Sequence, residues 1–80
     1  MRLPRDVSGR SLAQALERLG YAVSRQVGSH IRLTRSAEPE HHVTIPDHSP
    51  IKVGTLSRIL RDVATHAGLT RTELLERLFP

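Results

Sequence analysis

The chain has 80 residues, no cysteine and a formal net charge of +4. That is the length of one domain with a limited core, and it excludes disulfides and thiolate metal sites. The basic balance makes a polyanion the leading partner class beside a merely solvated basic surface, and with only Tyr21 and Phe79 as aromatics a base-stacking RRM or OB-fold is disfavoured.

Met1 to Val7 reads as a loose lead-in, with Pro4 and Ser8-Gly9 as breakers and Asp6 or Ser8 as candidate caps. From Ser11 to Leu19, Leu12, Leu16 and Leu19 recur at i, i+4 and i+7, one face of a helix, and Gly20 stands where a C-cap wants glycine. Tyr21 to Gln26 is a first strand, Val27-Gly28-Ser29 a turn, and His30 to Arg35 a second strand. Its alternation sends Ile31 and Leu33 to one face and His30, Arg32 and Thr34 to the other. After a polar loop with Pro39, His42 to Ile45 is a third strand ended by Pro46. Asp47 to Val53 is a loop, and Gly54-Thr55 opens a second helix faced by Leu56, Ile59, Leu60, Val63 and Ala67 and stopped by Gly68. Thr70 and Glu73 form a capping box before a short third helix with Leu74, Leu75 and Leu78.

The expected fold is α+β, α-β-β-β-α plus a C-terminal helix. One apolar sheet face calls for the helices to pack on that face of a three-stranded antiparallel sheet. The other face keeps His30, Arg32, Thr34, His42 and Thr44. Residues 1–80 read as a single domain. No apolar run is long enough for a signal peptide or a membrane span, so the expected setting is the cytoplasm, away from membranes.

The run Arg25-Gln26-Val27-Gly28-Ser29-His30-Ile31-Arg32-Leu33 carries the chemistry. Histidine exchanges a proton near neutral pH, and arginine binds phosphate through a planar fork of donors. Held together on a sheet, these are the parts of a minimal ribonuclease site.

The element order is that of the double-stranded RNA-binding domain. Leu19-Gly20-Tyr21, Arg25 to His30, Val43-Thr44-Ile45-Pro46-Asp47-His48, Gly54-Thr55-Leu56 and Ile59-Leu60 together resemble the HicA (YcfA-like) toxin family, over about residues 9 to 69. The resemblance implies the toxin of a type II toxin–antitoxin pair, an mRNA interferase that cleaves RNA without a metal or other cofactor and is neutralised by a HicB-type antitoxin. It makes His30, in the glycine-serine-histidine turn, the catalytic residue. The C-terminal stretch from Gly68 departs from the core pattern, with packing, self-association and antitoxin contact as its possible roles.

As a general base, His30 takes the proton of an RNA 2′-hydroxyl, and the oxyanion attacks the adjacent phosphate. The products are a 2′,3′-cyclic phosphate and a 5′-hydroxyl, and DNA is spared. Arg32 shares the His30 face and is placed to hold the scissile phosphate. Arg25 lies across the turn and is a second candidate to hold the phosphate, although simple alternation sets it with Tyr21 and Val23, and the sheet's edge is its alternative place. Lys52, Gly54 and Thr55 stand at the start of the second helix, where free amides and the dipole favour phosphate or, equally, simple capping. Gly28 and Ser29 serve the turn, with Ser29 a secondary phosphate donor. His48 is either the general acid or a structural loop residue.

His41 and His42 are adjacent and so point to opposite faces, which does not chelate a metal; no metal site is expected. His66 reads as a surface residue complementing the helix dipole, and Asp47, Asp62, Glu73 and Glu76 as caps or solvated positions. Two other classes remain: an RNA-binding module without catalysis, and a protein whose hairpin and third helix only hold a partner.

Overall fold

In the computed structural model, which describes Pro4 and residues 6–80, the chain runs α1 (Gly9–Glu17), β1 (Tyr21–Val27), β2 (His30–Arg35), β3 (His41–Pro46), α2 (Val53–Ala67) and α3 (Arg71–Leu78). This is the expected α+β order with its extra helix. Of the lead-in, Met1–Leu3 and Arg5 lie outside the described residues.

The strands form one antiparallel sheet in the order β1-β2-β3. Alternation along β2 and β3 puts Ile31, Leu33, Val43 and Ile45 on one face, each at most 5% exposed. Leu12 and Leu16 of α1 and Leu56, Ile59, Leu60 and Val63 of α2 join them in a single core. None of the described helices covers the other face. Burying an apolar side chain of this size is worth about 1.5–3 kcal/mol, so the apolar set fixes which face stays bare.

Two helix boundaries differ from the sequence reading. Helix α1 starts at Gly9, because Ser8 caps it and closes a reciprocal capping box with Ser11 at 3.0 Å and 3.1 Å. It ends at Glu17 with Arg18 as C-cap, so Gly20 lies beyond the helix, at the entry to β1. Helix α2 starts one residue early, at Val53, with Lys52 as N-cap.

Helix α3 is part of the core. Leu74, Leu75 and Leu78 are at most 2% exposed, and the helix packs on α1 and α2. The capping box is formed: Thr70 N–H donates to the Glu73 carboxylate at 2.9 Å, and Glu73 N–H donates to the Thr70 hydroxyl at 3.1 Å. The backbone bond from Thr70 holds the Glu73 carboxyl below its ordinary pKa. At the other end the Arg18 guanidinium donates to the Leu78 carbonyl at 2.6 Å. Of the roles open to this stretch, packing is one it performs.

Gly9 sets the loop that follows β3. A Cβ at Gly9 would lie 2.1 Å from the Pro46 carbonyl oxygen, so only glycine admits this approach. Gly9 N–H donates to the His48 carbonyl at 2.9 Å, and Ile51 N–H donates to the Val7 carbonyl at 2.8 Å. The loop bearing His48 is thereby clamped to the start of α1.

Candidate functional site

The site is built around the β1–β2 turn. Gly28 and Ser29 are the two loop residues between the closing pair Val27 and His30. Gly28 has a φ of 57°, the positive value that a two-residue hairpin of type II′ places at its first position. Ser29 contributes its backbone: its carbonyl accepts from Asp47 N–H at 2.7 Å. That bond ties the turn to the end of β3. The Asp47 carboxylate also accepts from Arg10 at 3.1 Å and Gln26 at 3.3 Å. Asp47 is therefore a brace between α1, β1 and the loop, rather than a cap or a solvated residue.

His30 emerges from this brace on the bare face of the sheet, exposed, between Val27 and Pro46. Among the described residues no group hydrogen-bonds its ring, so both nitrogens are without a partner there. Next along the same face, Arg32 pairs with Thr44 on one side and with Arg25 on the other. This corrects the expectation for Arg25. The β1–β2 register shifts between Val23 and Arg25, a bulge at Ser24 that inserts one residue and turns the rest of the strand over. Arg25 joins Arg32 on the open face instead of following Tyr21 and Val23. Two guanidinium groups directly opposite one another repel, and among the described residues neither makes an ion pair or side-chain hydrogen bond. An anion bound between them removes that cost.

Beside β3 a groove of about 540 Å³ brings four of the sequence candidates together: His30, His48, Lys52 and Thr55. His42, Thr44, Arg58 and Asp62 also line it. Arg25 and Arg32 lie outside the groove, on the flat face adjoining His30. Gly54 does not line it, and nothing lies within 4 Å of where its Cβ would be. Lys52 makes no side-chain cap bond, so the first amides of α2 have no side-chain partner from their N-cap. Arg58 was missed by the sequence reading. Its signal is the helical spacing Lys52, Thr55, Arg58 and Asp62, which turns one polar face of α2 towards the groove.

The opposite end of the sheet holds His41 and His42. His41 and His42 do point to opposite faces. The His41 ring meets the Tyr21 hydroxyl at Nδ1, 2.6 Å away, and Asp62 at Nε2, 3.5 Å away. Burial raises the Tyr21 pKa, partly offset by Arg35 and reinforced by Asp62. His66 does stand in the last turn of α2, but it is half-buried rather than a surface residue: its ring stacks on His41 with centroids 4.2 Å apart and planes at 9°. Its Nε2 is buried without a hydrogen-bond partner among the described residues.

Among the described residues no group of three or more His, Cys, Asp or Glu side chains is arranged to hold a metal ion. None of the described helices is long and apolar enough to cross a membrane. No curated protein and no solved structure matches the chain. Residues 9–64, which span α1, the sheet and most of α2, match the family model of the HicA toxin of bacterial toxin–antitoxin systems. The chain therefore belongs to the HicA toxin family, as the toxin of a pair whose other member is a cognate antitoxin.

Proposed function

We propose that this toxin is an endoribonuclease, an mRNA interferase, and that His30 is its catalytic base. The observation that carries the reading is the placement of His30. Its ring has free nitrogens, it sits at the mouth of a basic groove, and two unpaired arginines stand beside it on the same face.

In this reading His30 removes the proton from an RNA 2′-hydroxyl, whose oxygen then attacks the adjoining phosphorus and expels the 5′-oxygen of the next nucleotide. Arg32 and Arg25 hold the phosphate oxygens and stabilise the charge that builds on them. Lys52, Thr55 and the free amides of α2 hold a neighbouring phosphate across the groove, with Arg58 extending that cationic wall. His48, braced in the same groove, is the candidate that protonates the leaving oxygen. Gly54 adds only its backbone amide, and Ser29 serves the turn. The base and the charge stabilisation come from side chains, so the proposed reaction draws on no metal. The proposed antitoxin is of HicB type, net acidic, and covers the His30 face by competing with RNA for these cations.

The test is incubation of labelled RNA with wild type and His30→Ala in EDTA, followed by analysis of the product ends. Wild type should leave 2′,3′-cyclic phosphate and 5′-hydroxyl ends, and His30→Ala should leave the RNA intact. Uncut RNA in both samples, with folding confirmed, supports a binding module instead. Equal cutting in both removes His30 from the chemistry.

A further inference from the structure

The bare sheet face carries a second histidine that the proposed chemistry does not use. His42 lies opposite Thr34 on the edge strand β3. Thr34 is four residues from His30, so at about 3.3 Å per residue the two histidines stand roughly 13–14 Å apart. They cannot serve one phosphate together.

Both nitrogens of His42 are occupied. Nε2 donates to the Glu40 carboxylate at 2.8 Å, and Nδ1 shares a 2.9 Å bond with the Thr34 hydroxyl. A further 2.9 Å bond joins Thr34 to Ser24, the bulged residue, whose hydroxyl also reaches the Arg32 carbonyl at 3.2 Å. The chain of contacts crosses all three strands and fixes the ring. A ring bonded at both nitrogens is not free to donate to a phosphate or to shuttle a proton. What it offers is its face, and the side chain is 40% exposed and lines the groove.

Glu40 sharpens the point. A carboxylate beside a phosphate-binding face costs affinity for RNA, and its bond to Nε2 is what it returns. It also neutralises the local charge that an imidazolium would present. The arrangement favours orientation of a flat ring over attraction of an anion.

The two benzenoid rings of the chain are not available for this. Tyr21 is 3% exposed, and Phe79 packs against the core. Single-stranded RNA is held by bases stacked on exposed rings, histidine included. We infer that His42 is a base-stacking platform, oriented by Glu40 and Thr34, for a nucleotide beyond the cleaved bond. This rests on the ribonuclease reading for the direction of the RNA across the face, but the stacking is testable without cleavage.

The experiment measures the Kd of a short labelled single-stranded RNA for the His30→Ala protein, and for the same protein carrying His42→Phe or His42→Val. Valine keeps strand propensity and removes the ring. Loss of one base–ring stack weakens binding by about fivefold or more, so valine should show at least that. Phenylalanine, which keeps the ring without nitrogens, should restore most of the loss. The dependence of log Kd on log salt should stay the same in all three, because no phosphate contact is removed. Binding by valine equal to the parent overturns the inference. So does phenylalanine as weak as valine, or a salt slope lowered by about one. The two readings fail separately. Uncut RNA with wild type, together with ring-dependent binding, ends the ribonuclease proposal and leaves the platform. Cleavage by wild type with an unaltered KM in His42→Val ends the platform and leaves the ribonuclease.

Discussion

At one end of the sheet His30 stands open on β2, while at the other His41 on β3 is hydrogen-bonded to Tyr21, lies 3.5 Å from the Asp62 carboxylate and is stacked on His66. The residue type is the same and the strands are adjacent. What differs is the surroundings. Around His30 the backbone is braced and the side chain is left free; around His41 the side chain is itself the brace, linking β1, β3 and α2 through Tyr21, Asp62 and His66. Rigid placement with unspent hydrogen-bonding capacity is what catalysis needs. A ring whose nitrogens are spent on neighbours holds the fold together. His42 falls between them, with its nitrogens engaged but its side chain 40% exposed.

The comparison can be broken from the His30 end through Gly9. Gly9→Ala forces a Cβ to within 2.1 Å of the Pro46 carbonyl oxygen, a backbone atom that cannot swing away. The expected cost is that of overpacking, about 1–3 kcal/mol. In a domain of this size that lowers Tm by roughly 4–24 °C, readable by thermal unfolding. An unchanged Tm would mean that the loop is not clamped to α1.

A smaller effect sharpens the comparison from the His41 end. Tyr21→Phe removes the 2.6 Å bond to His41 and should cost about 1 kcal/mol. The same substitution alters the response to alkali. The Tyr21 pKa is raised in the folded chain by burial, with Arg35 opposing and Asp62 adding. Between the ordinary tyrosine value of about 10 and the raised one, the unfolded chain has lost the proton and the folded chain still holds it. Stability contributed by the buried phenol is therefore full below that window and declines as pH rises through it. Denaturant unfolding of wild type should show this alkaline decline, and Tyr21→Phe should lack it. Equal slopes in the two proteins would count against a buried, neutral Tyr21.

Most of the fold was legible because its signals are local. The alternation of His30 to Arg35, the Thr70–Glu73 capping box and the apolar faces of α1 and α2 each depend on spacing within one segment. The misplacements depend on partners. Nothing within Tyr21 to Val27 reveals that Ser24 bulges, since the bulge is defined by the register against β2; so simple alternation places Arg25 on the wrong face, although its neighbourhood to His30 across the turn makes it a phosphate candidate. His66 looked like a surface residue until His41, from a distant strand, came to rest on it. Arg58 had a helical signal, but its meaning depended on β3 forming the facing wall of the groove. The family resemblance singled out His30, and the structure adds what surrounds it.

The most direct test of the account pairs the two histidines. His30→Ala and His41→Ala are compared with wild type for RNA cleavage in EDTA and for Tm. His30→Ala should lose at least about a hundredfold in cleavage, the lower end of what a general base contributes, and keep its Tm. His41→Ala should lose Tm and still cleave when assayed well below it. His30→Ala cutting at the wild-type rate, or a folded His41→Ala that no longer cuts, would contradict the division of labour between the two ends of the sheet.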